Sequence, residues 1–151
     1  MQIADIDFCV PEDAKSLVAI DAVCFDVPWE ERLIVSDLND PGSPVYLKAA
    51  VNGTIAGYGV LGRVNDSSHL MNIAVLPEYR RRGIALQLMA GFDEISSEWG
   101  CRRMSLEVRS SNVTARNFYV SIGFVYSSRA KGYYANGEDA LILVARIPLK
   151  L

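Results

Sequence analysis

Apolar positions along the chain recur with two periods. From Ile3 to Val10 they alternate loosely (Ile6, Phe8, Val10), which predicts a short strand. Pro11-Glu12-Asp13 then opens a helix, with acids in the first turn where the helix dipole favours them. Leu17, Ile20, Val23 and Cys24 fall on one face of it. The helix stops before Pro28, and a second short one is expected from Trp29 to about Leu38. Pro41-Gly42-Ser43-Pro44 is a break. Val45 to Val51 and Thr54 to Arg63 flank Asn52-Gly53, a pair whose ready adoption of positive φ marks a hairpin. A further strand runs from about His69 to Leu76. After Arg82 the period changes. Ile84, Leu88, Phe92, Ile95 and Trp99 recur every three to four residues, an apolar helical stripe that Gly100 ends. Met104, Leu106 and Val108 then alternate with Arg103, Ser105, Glu107 and Arg109, a strand with one polar face. Asn112 can cap a short helix whose inner face is Ala115, Phe118, Tyr119 and Ile122. Gly123 closes it, and two strands around Asn136-Gly137 finish the chain. The order β-α-α-β-β-β-α-β-α-β-β predicts an α/β fold, a mixed sheet with helices on both faces.

Composition narrows the class. At 151 residues, half of them apolar, the chain is expected to form a single domain, 1–151, with a core that needs no staples. Cys9, Cys24 and Cys101 are an odd number without metal-site or redox spacing, which points to a reducing, cytoplasmic setting rather than a disulfide framework. With one histidine, no metal site is expected. No basic leader precedes an apolar run, and no stretch approaches the roughly 18 apolar residues of a membrane helix, so a soluble protein without a membrane partner is expected. Charge is unevenly placed. Residues 1–44 hold ten acids against two bases and the remainder eight against thirteen, so −8 and +5 make up the net −3. A basic second part suits an anionic ligand and an acidic first part a cationic one.

The most informative stretch runs from Asn72 to Met89. A strand ends in Pro77, and a short loop carrying Arg80, Arg81, Arg82 and Gly83 leads directly into the amphipathic helix. First-turn amides lack internal partners and carry the positive end of the helix dipole, so a loop wrapping over that end makes a phosphate cradle. Gly83 lets the backbone approach an anion, Ala85 keeps the entry clear, and the three arginines add charge. Neither the GxxxxGK[ST] loop nor the GxGxxG fingerprint is present, which argues against nucleotide hydrolysis or dinucleotide binding.

Arg80, Gly83 and Ala85 fill the slots of Gln/Arg-x-x-Gly-x-Gly/Ala, and the stretch resembles the acetyl-CoA loop of the GNAT superfamily of N-acetyltransferases. The resemblance covers nearly the whole chain. It is most similar to the RimI-type and archaeal protein N-terminal acetyltransferases, through Pro28-Trp29, Asn72-Ile-Ala-Val75, the segments Leu106 to Asn112 and Asn117 to Phe124, and Gly132 to Ala140. It implies acetyl-CoA as the acetyl donor. The backbone of Ile73, Ala74 and Val75 would then pair with the pantetheine arm, and amides from Arg81 through Arg82, Gly83, Ile84 and Ala85 to Leu86 would bind the pyrophosphate. Asn112 would contact the far side of the cofactor.

Acyl transfer from a thioester to an amine needs no covalent enzyme nucleophile. It needs a neutral amine, and an α-amino group has a pKa of about 7.7–8.0. It needs an amide for the developing oxyanion, for which Val75 is the candidate, and a proton for the departing thiolate. Glu107 is the candidate base, acting through a water. It stands mid-strand on a polar face, where restricted access to solvent would make a carboxylate a better base. From the residues alone, a solvated face or an ion pair with Arg103 or Arg109 accounts for it equally well; the resemblance assigns it as base. Tyr119 shares the core face of its helix, and the resemblance implies the acid role for it. His69, the only histidine, has no partner legible in the sequence and reads as a surface or hairpin-end residue, outside the catalytic set.

The acceptor site is expected between Phe25, Pro28 and Trp29 on one side and Tyr133 and Tyr134 on the other. Cross-strand aromatic packing is an equal explanation for either tyrosine. The resemblance implies a protein or peptide N-terminus as acceptor, ribosomal protein among the classes, and no direct nucleic-acid partner. Acidic residues in the first part favour a basic peptide. Two alternatives stand beside it: a small-molecule amine acceptor on the same fold, and a non-catalytic acyl-CoA-binding regulatory module.

Overall fold

The computed structural model describes residues 1–42 and 44–151; Ser43, in the expected break, lies outside the described residues. The elements follow the expected order: β1 (Asp5–Phe8), α1 (Ala14–Cys24), α2 (Glu31–Leu38), β2 (Val45–Val51), β3 (Thr54–Val64), β4 (Ser67–Val75), α3 (Ile84–Glu98), β5 (Arg103–Arg109), α4 (Val113–Ser121), β6 (Val125–Ala130) and β7 (Ala140–Arg146). One-turn 3-10 helices at Pro11–Asp13 and Pro77–Tyr79 precede α1 and the arginine loop. Each begins with proline, whose fixed φ suits a first helical position. The seven strands form a mixed sheet ordered β1-β2-β3-β4-β5-β7-β6. β4 and β5 run parallel, while β1/β2, β2/β3, β5/β7 and β6/β7 are antiparallel.

The chain resolves into two compact units, Met1–Gly62 with Asn72–Phe92 and Arg63–Met71 with Asp93–Leu151. The core of the first comprises Leu17 and Ile20 from α1, Ile34 from α2, Tyr46 from β2, Tyr58 and Val60 from β3, and Ala74 from β4. Small residues alternate through β3 for a reason of space. A Cβ on Gly59 would lie 2.7 Å from the ring of Phe92, so the glycine is what lets that ring reach the strand. In the second unit Met104, Leu106 and Val108 are buried while Ser105, Glu107 and Arg109 stay partly open, as the alternation predicts.

Three local expectations need correction. Val23 is 59% exposed; the position turned inward beside Leu17 and Ile20 is Asp21, fully buried. The spacing allowed either, and Asp21 is satisfied by three donors inside. Phe8 and Val10 are also exposed, because β1 is an edge strand paired only with β2. The second helix starts at Glu31 rather than Trp29, whose amide is held by a side chain instead. Asn136-Gly137 lies between the last two strands, as expected. It closes a small turn in which Gly137 N donates to Tyr134 O at 2.8 Å and Tyr134 N to Glu138 O at 3.1 Å. None of the described helices is long and apolar enough to cross a membrane.

Candidate active site

In the first unit the loop between Pro77 and α3 is bent by two left-handed residues, Arg81 at φ 61° and Gly83 at φ 80°. Backbone amides from Arg81 to Leu86 have no acceptor among the described residues. Successive unpaired N–H groups at a helix N-terminus make a site for an oxyanion such as a pyrophosphate. The three arginines are not equivalent there. Arg80 turns away, its Nε donating to Val75 O at 2.9 Å and its terminal nitrogen lying 3.5 Å from Cys24 Sγ. Arg82 sits 5.7 Å from the Tyr79 ring centroid. Arg80, Arg81 and Arg82 are all exposed, and a hydrogen bond to a carbonyl leaves the Arg80 charge in place, so all three contribute charge to the loop. Gly83 is favoured by its positive φ; the atoms nearest an added Cβ belong to the exposed Met1 side chain, which can move aside.

Pairing between β4 and β5 ends at Leu70 opposite Leu106. Ile73, Ala74 and Val75 therefore continue β4 beyond its last β5 partner; among the described residues no strand pairs with that side of them, although Val75 O accepts from Arg80 Nε. An extended ligand bearing amide groups can pair along such an edge.

In the second unit, the parallel register sets His69 opposite Ser105, and the two-residue period brings Glu107 to the same face. His69 Nε2 lies 2.9 Å from Glu107 Oε2, and His69 Nδ1 lies 3.0 Å from Ser105 Oγ. A carboxylate only accepts, so Nε2 donates to Glu107, while Nδ1 and the Ser105 hydroxyl stand within hydrogen-bond distance of each other. His69 thus has two partners, one of them the candidate base, where the sequence alone offered none. The signal was absent from the sequence because it depends on which two strands pair and in which register. Arg109 is engaged elsewhere: it lies 3.2 Å from Glu138 Oε1 and 4.1 Å from the Tyr134 ring centroid. Glu138 also accepts from Ser111 N at 2.9 Å, tying β5 to the turn that carries Tyr134.

Tyr119 is 7% exposed, its ring 5.5 Å from that of Phe118 and 5.6 Å from that of Phe124. Its hydroxyl has no hydrogen-bond partner among the described residues, and no fully buried polar side-chain atom there is left unpaired, so the hydroxyl reaches the surface of its pocket. Burial, with a smaller contribution from nearby Tyr134, pushes its phenol above the ordinary tyrosine range. It therefore remains a proton donor. Asn112 caps α4, its Oδ1 accepting from Ala115 N at 3.1 Å, which leaves its NH2 group as the free part of the side chain.

The expected acceptor residues fall in both units. Phe25 and Pro28 are exposed, while Trp29 is half-buried, with its ring edge-on to Tyr46 at 6.4 Å. Tyr133 is exposed and Tyr134 half-buried, their rings perpendicular at 5.0 Å. Tyr133 lies close enough to Glu107 that, after burial, the carboxylate charge helps raise its phenol pKa. Among the described residues no group of three or more His, Cys, Asp or Glu is placed to hold a metal.

Comparison with known proteins identifies the family. A Bacillus subtilis protein provisionally named as a ribosomal protein bS18-alanine N-acetyltransferase is 36% identical over 133 residues, covering 87% of this chain and 88% of that protein. The ribosomal protein bS18-alanine N-acetyltransferase of Escherichia coli is 31% identical over 125 residues, covering 81% and 83%. A crystal structure of the Escherichia coli ribosomal-protein-S18-alanine N-acetyltransferase superposes with a TM-score of 0.86 at 28% identity, over 96% of this chain and 94% of that one. An N-alpha-acetyltransferase of Saccharolobus solfataricus is 29% identical over 146 residues, covering 87% and 86%. The model of the acetyltransferase (GNAT) family matches residues 14–124, a span that includes the arginine loop, the end of β4 beyond its β5 pairing, Glu107 and Tyr119, and the chain belongs to that family.

Proposed function

We propose that this enzyme transfers the acetyl group of acetyl-CoA to the α-amine at a protein N-terminus, with a ribosomal protein as the leading class of substrate and the cytoplasm as its setting. The observation that carries the reading is the naming of relatives at 29–36% identity for N-terminal or ribosomal-protein alanine acetylation. The residues present fit the donor. Unpaired amides from Arg81 to Leu86, with the Arg80, Arg81 and Arg82 charges, would take the pyrophosphate, and the edge of Ile73 to Val75 the pantetheine arm. Asn112 would lend its NH2 group to the cofactor's far side.

In this reading the neutral amine attacks the thioester carbonyl, the C–S bond breaks, and coenzyme A leaves as a thiol. Glu107, held by His69, accepts the amine's proton through a water. Tyr119 supplies a proton to the departing sulfur, and both groups re-equilibrate with solvent. The Val75 amide would stabilise the oxyanion. Phe25, Pro28 and Trp29 of the first unit would contact the acceptor peptide, as would Tyr133 and Tyr134 of the second, and the acidic surplus of residues 1–44 would favour basic sequences.

The test is release of free thiol from acetyl-CoA with peptides differing in their first residues, beside spermidine and an aminoglycoside. Acetylation at the peptide α-amine, with both small amines ignored, is the expected result. Turnover of the small amines alone would overturn the protein-substrate reading and leave the donor chemistry standing.

A further inference from the structure

The proposed acetyl transfer leaves one buried ionisable group unused. Asp21, fully buried in α1, forms no ion pair among the described residues and receives three donors. Tyr58 OH donates to its Oδ1 at 2.6 Å, Asn72 Nδ2 donates to the same oxygen at 3.1 Å, and Trp29 N donates to Oδ2 at 3.0 Å. Asn72 Nδ2 also donates to the Tyr58 oxygen at 2.9 Å. Burial and the Asp21 hydrogen bond push the Tyr58 phenol far above its ordinary range, so it stays a donor. Each partner has a distinct place. Tyr58 is core, and Asn72 immediately precedes Ile73 to Val75 on β4. Trp29 lies in the segment between α1 and α2, where the backbone has no helix or strand to hold it.

A buried carboxylate carries a desolvation cost of several kcal/mol, about what good donors recover. Packing alone would be served by an apolar residue. What Asp21 adds is geometry, because its two oxygens hold different parts of the chain. Oδ1 binds the core, and Oδ2 binds the segment 25–29 at Trp29. The Trp29 ring is then set edge-on against Tyr46, whose own ring stacks on Tyr58 at 6.4 Å. Resting on the reading of Trp29 as an acceptor residue, we propose that Asp21 is a positioning residue for the acceptor peptide, tethering the Phe25–Trp29 wall to the core through the Trp29 amide.

The two oxygens make the test selective. In Asp21→Asn the amide oxygen can still accept from Tyr58 and Asn72, but the NH2 group must then face the Trp29 N–H, donor against donor. Tyr58→Phe does the reverse: it removes a core donor and leaves the Trp29 tether. Loss of one hydrogen bond to a charged acceptor corresponds to about tenfold or more. Expected for Asp21→Asn is a peptide KM raised about tenfold, with the acetyl-CoA KM and kcat within about twofold of the parent, and faster hydrogen exchange at the Trp29 amide. Tyr58→Phe should lower the melting temperature and leave the peptide KM in place. An unchanged peptide KM in Asp21→Asn, or an equal rise in the acetyl-CoA KM, overturns the proposal, the latter because Asp21 would then act through Asn72 and β4. If the parent enzyme acetylates no peptide, the functional reading fails first and the acceptor role fails with it; that outcome is separate, being read before any variant is made.

Discussion

His69 Nε2 and Glu107 Oε2 lie 2.9 Å apart across two parallel strands, with Ser105 on the far side of the imidazole at 3.0 Å. The carboxylate, which only accepts, places the Nε2 proton of His69 on one of its oxygens. The other oxygen is left to take a proton from a water or an amine. Arg103 and Arg109, the two neighbours whose charge would have neutralised Glu107, do not pair with it.

From this arrangement, Glu107→Gln should keep its packing and lose its basicity. The expected loss in kcat is about 10²–10³-fold, the usual worth of a positioned general base, with acetyl-CoA affinity unchanged. Thiol release gives the rate, and calorimetric titration with coenzyme A gives the affinity. Loss of coenzyme A binding in this variant would make Glu107 a structural residue.

His69 should act through that carboxylate. His69→Leu removes the donor and is expected to lower kcat about tenfold, while His69→Gln, which can present an N–H at a similar reach, should recover most of it. Made on top of Glu107→Gln, His69→Leu should add little, because members of one catalytic unit are not additive. A full further loss in the double variant would mean that His69 works independently of Glu107.

How much of this was legible in the sequence depends on the range of the interaction. Every regular element was, since each rests on local periodicity and on turn residues such as Asn52-Gly53 and Gly100. The arginine loop was legible too, because a strand, a glycine and an amphipathic helix in immediate succession define its geometry. The placing of Arg80 was not: its Nε donates to Val75 O, a partner only the folded loop supplies. Asp21 and His69 were missed for one shared reason. A polar residue at a position that faces inward is indistinguishable from a surface residue until its donors arrive from β3, β4 or β5, and strand pairing is not written in any one strand. Val23 was the mirror case, an apolar residue at helical spacing that ends on the solvent side.

Gly83→Ala should damage the donor site without touching the chemistry. Its φ of 80° is left-handed, while the side chain nearest a Cβ there, the exposed Met1, can move aside. A strain of about 1–2 kcal/mol is expected, because an L-residue in that region crowds its carbonyl. The acetyl-CoA KM should rise about tenfold while kcat at saturation holds. Arg81, already left-handed at φ 61°, gives the opposite case: Arg81→Gly relieves strain, so its effect on melting temperature should be neutral or positive even as the lost charge weakens the donor.

Tyr119→Phe isolates the acid. The hydroxyl makes no hydrogen bond among the described residues, so its removal should shift the melting temperature by less than about 2 °C. The rate of acetyl transfer should nevertheless fall, by about 10–10²-fold, and should recover with a donor whose thiolate leaves more readily. A variant as fast as the parent would remove Tyr119 from the mechanism.

Alkaline stability offers a check that is independent of catalysis. Burial raises the phenols of Tyr46, Tyr58 and Tyr119 above their ordinary 10.0, and raises the Cys9 thiol from 9.0 to about 12. In each case the folded state keeps a proton that the unfolded chain releases. The stabilising contribution is therefore complete below the unfolded values and is lost as pH rises past them, beginning near pH 9 for the thiol and pH 10 for the phenols. Each group fully ionised in the unfolded chain and protonated in the folded one steepens the loss by about 1.4 kcal/mol per pH unit. Urea denaturation midpoints measured from pH 7 to 11 should fall with increasing slope above about pH 9.5. Tyr58→Phe should start lower at pH 7, since Asp21 loses a donor, and yet decline less steeply, because one of the titrating groups is gone. Parallel curves for the two proteins would mean that Tyr58 ionises as readily folded as unfolded, and that its hydroxyl is not held by Asp21 in solution.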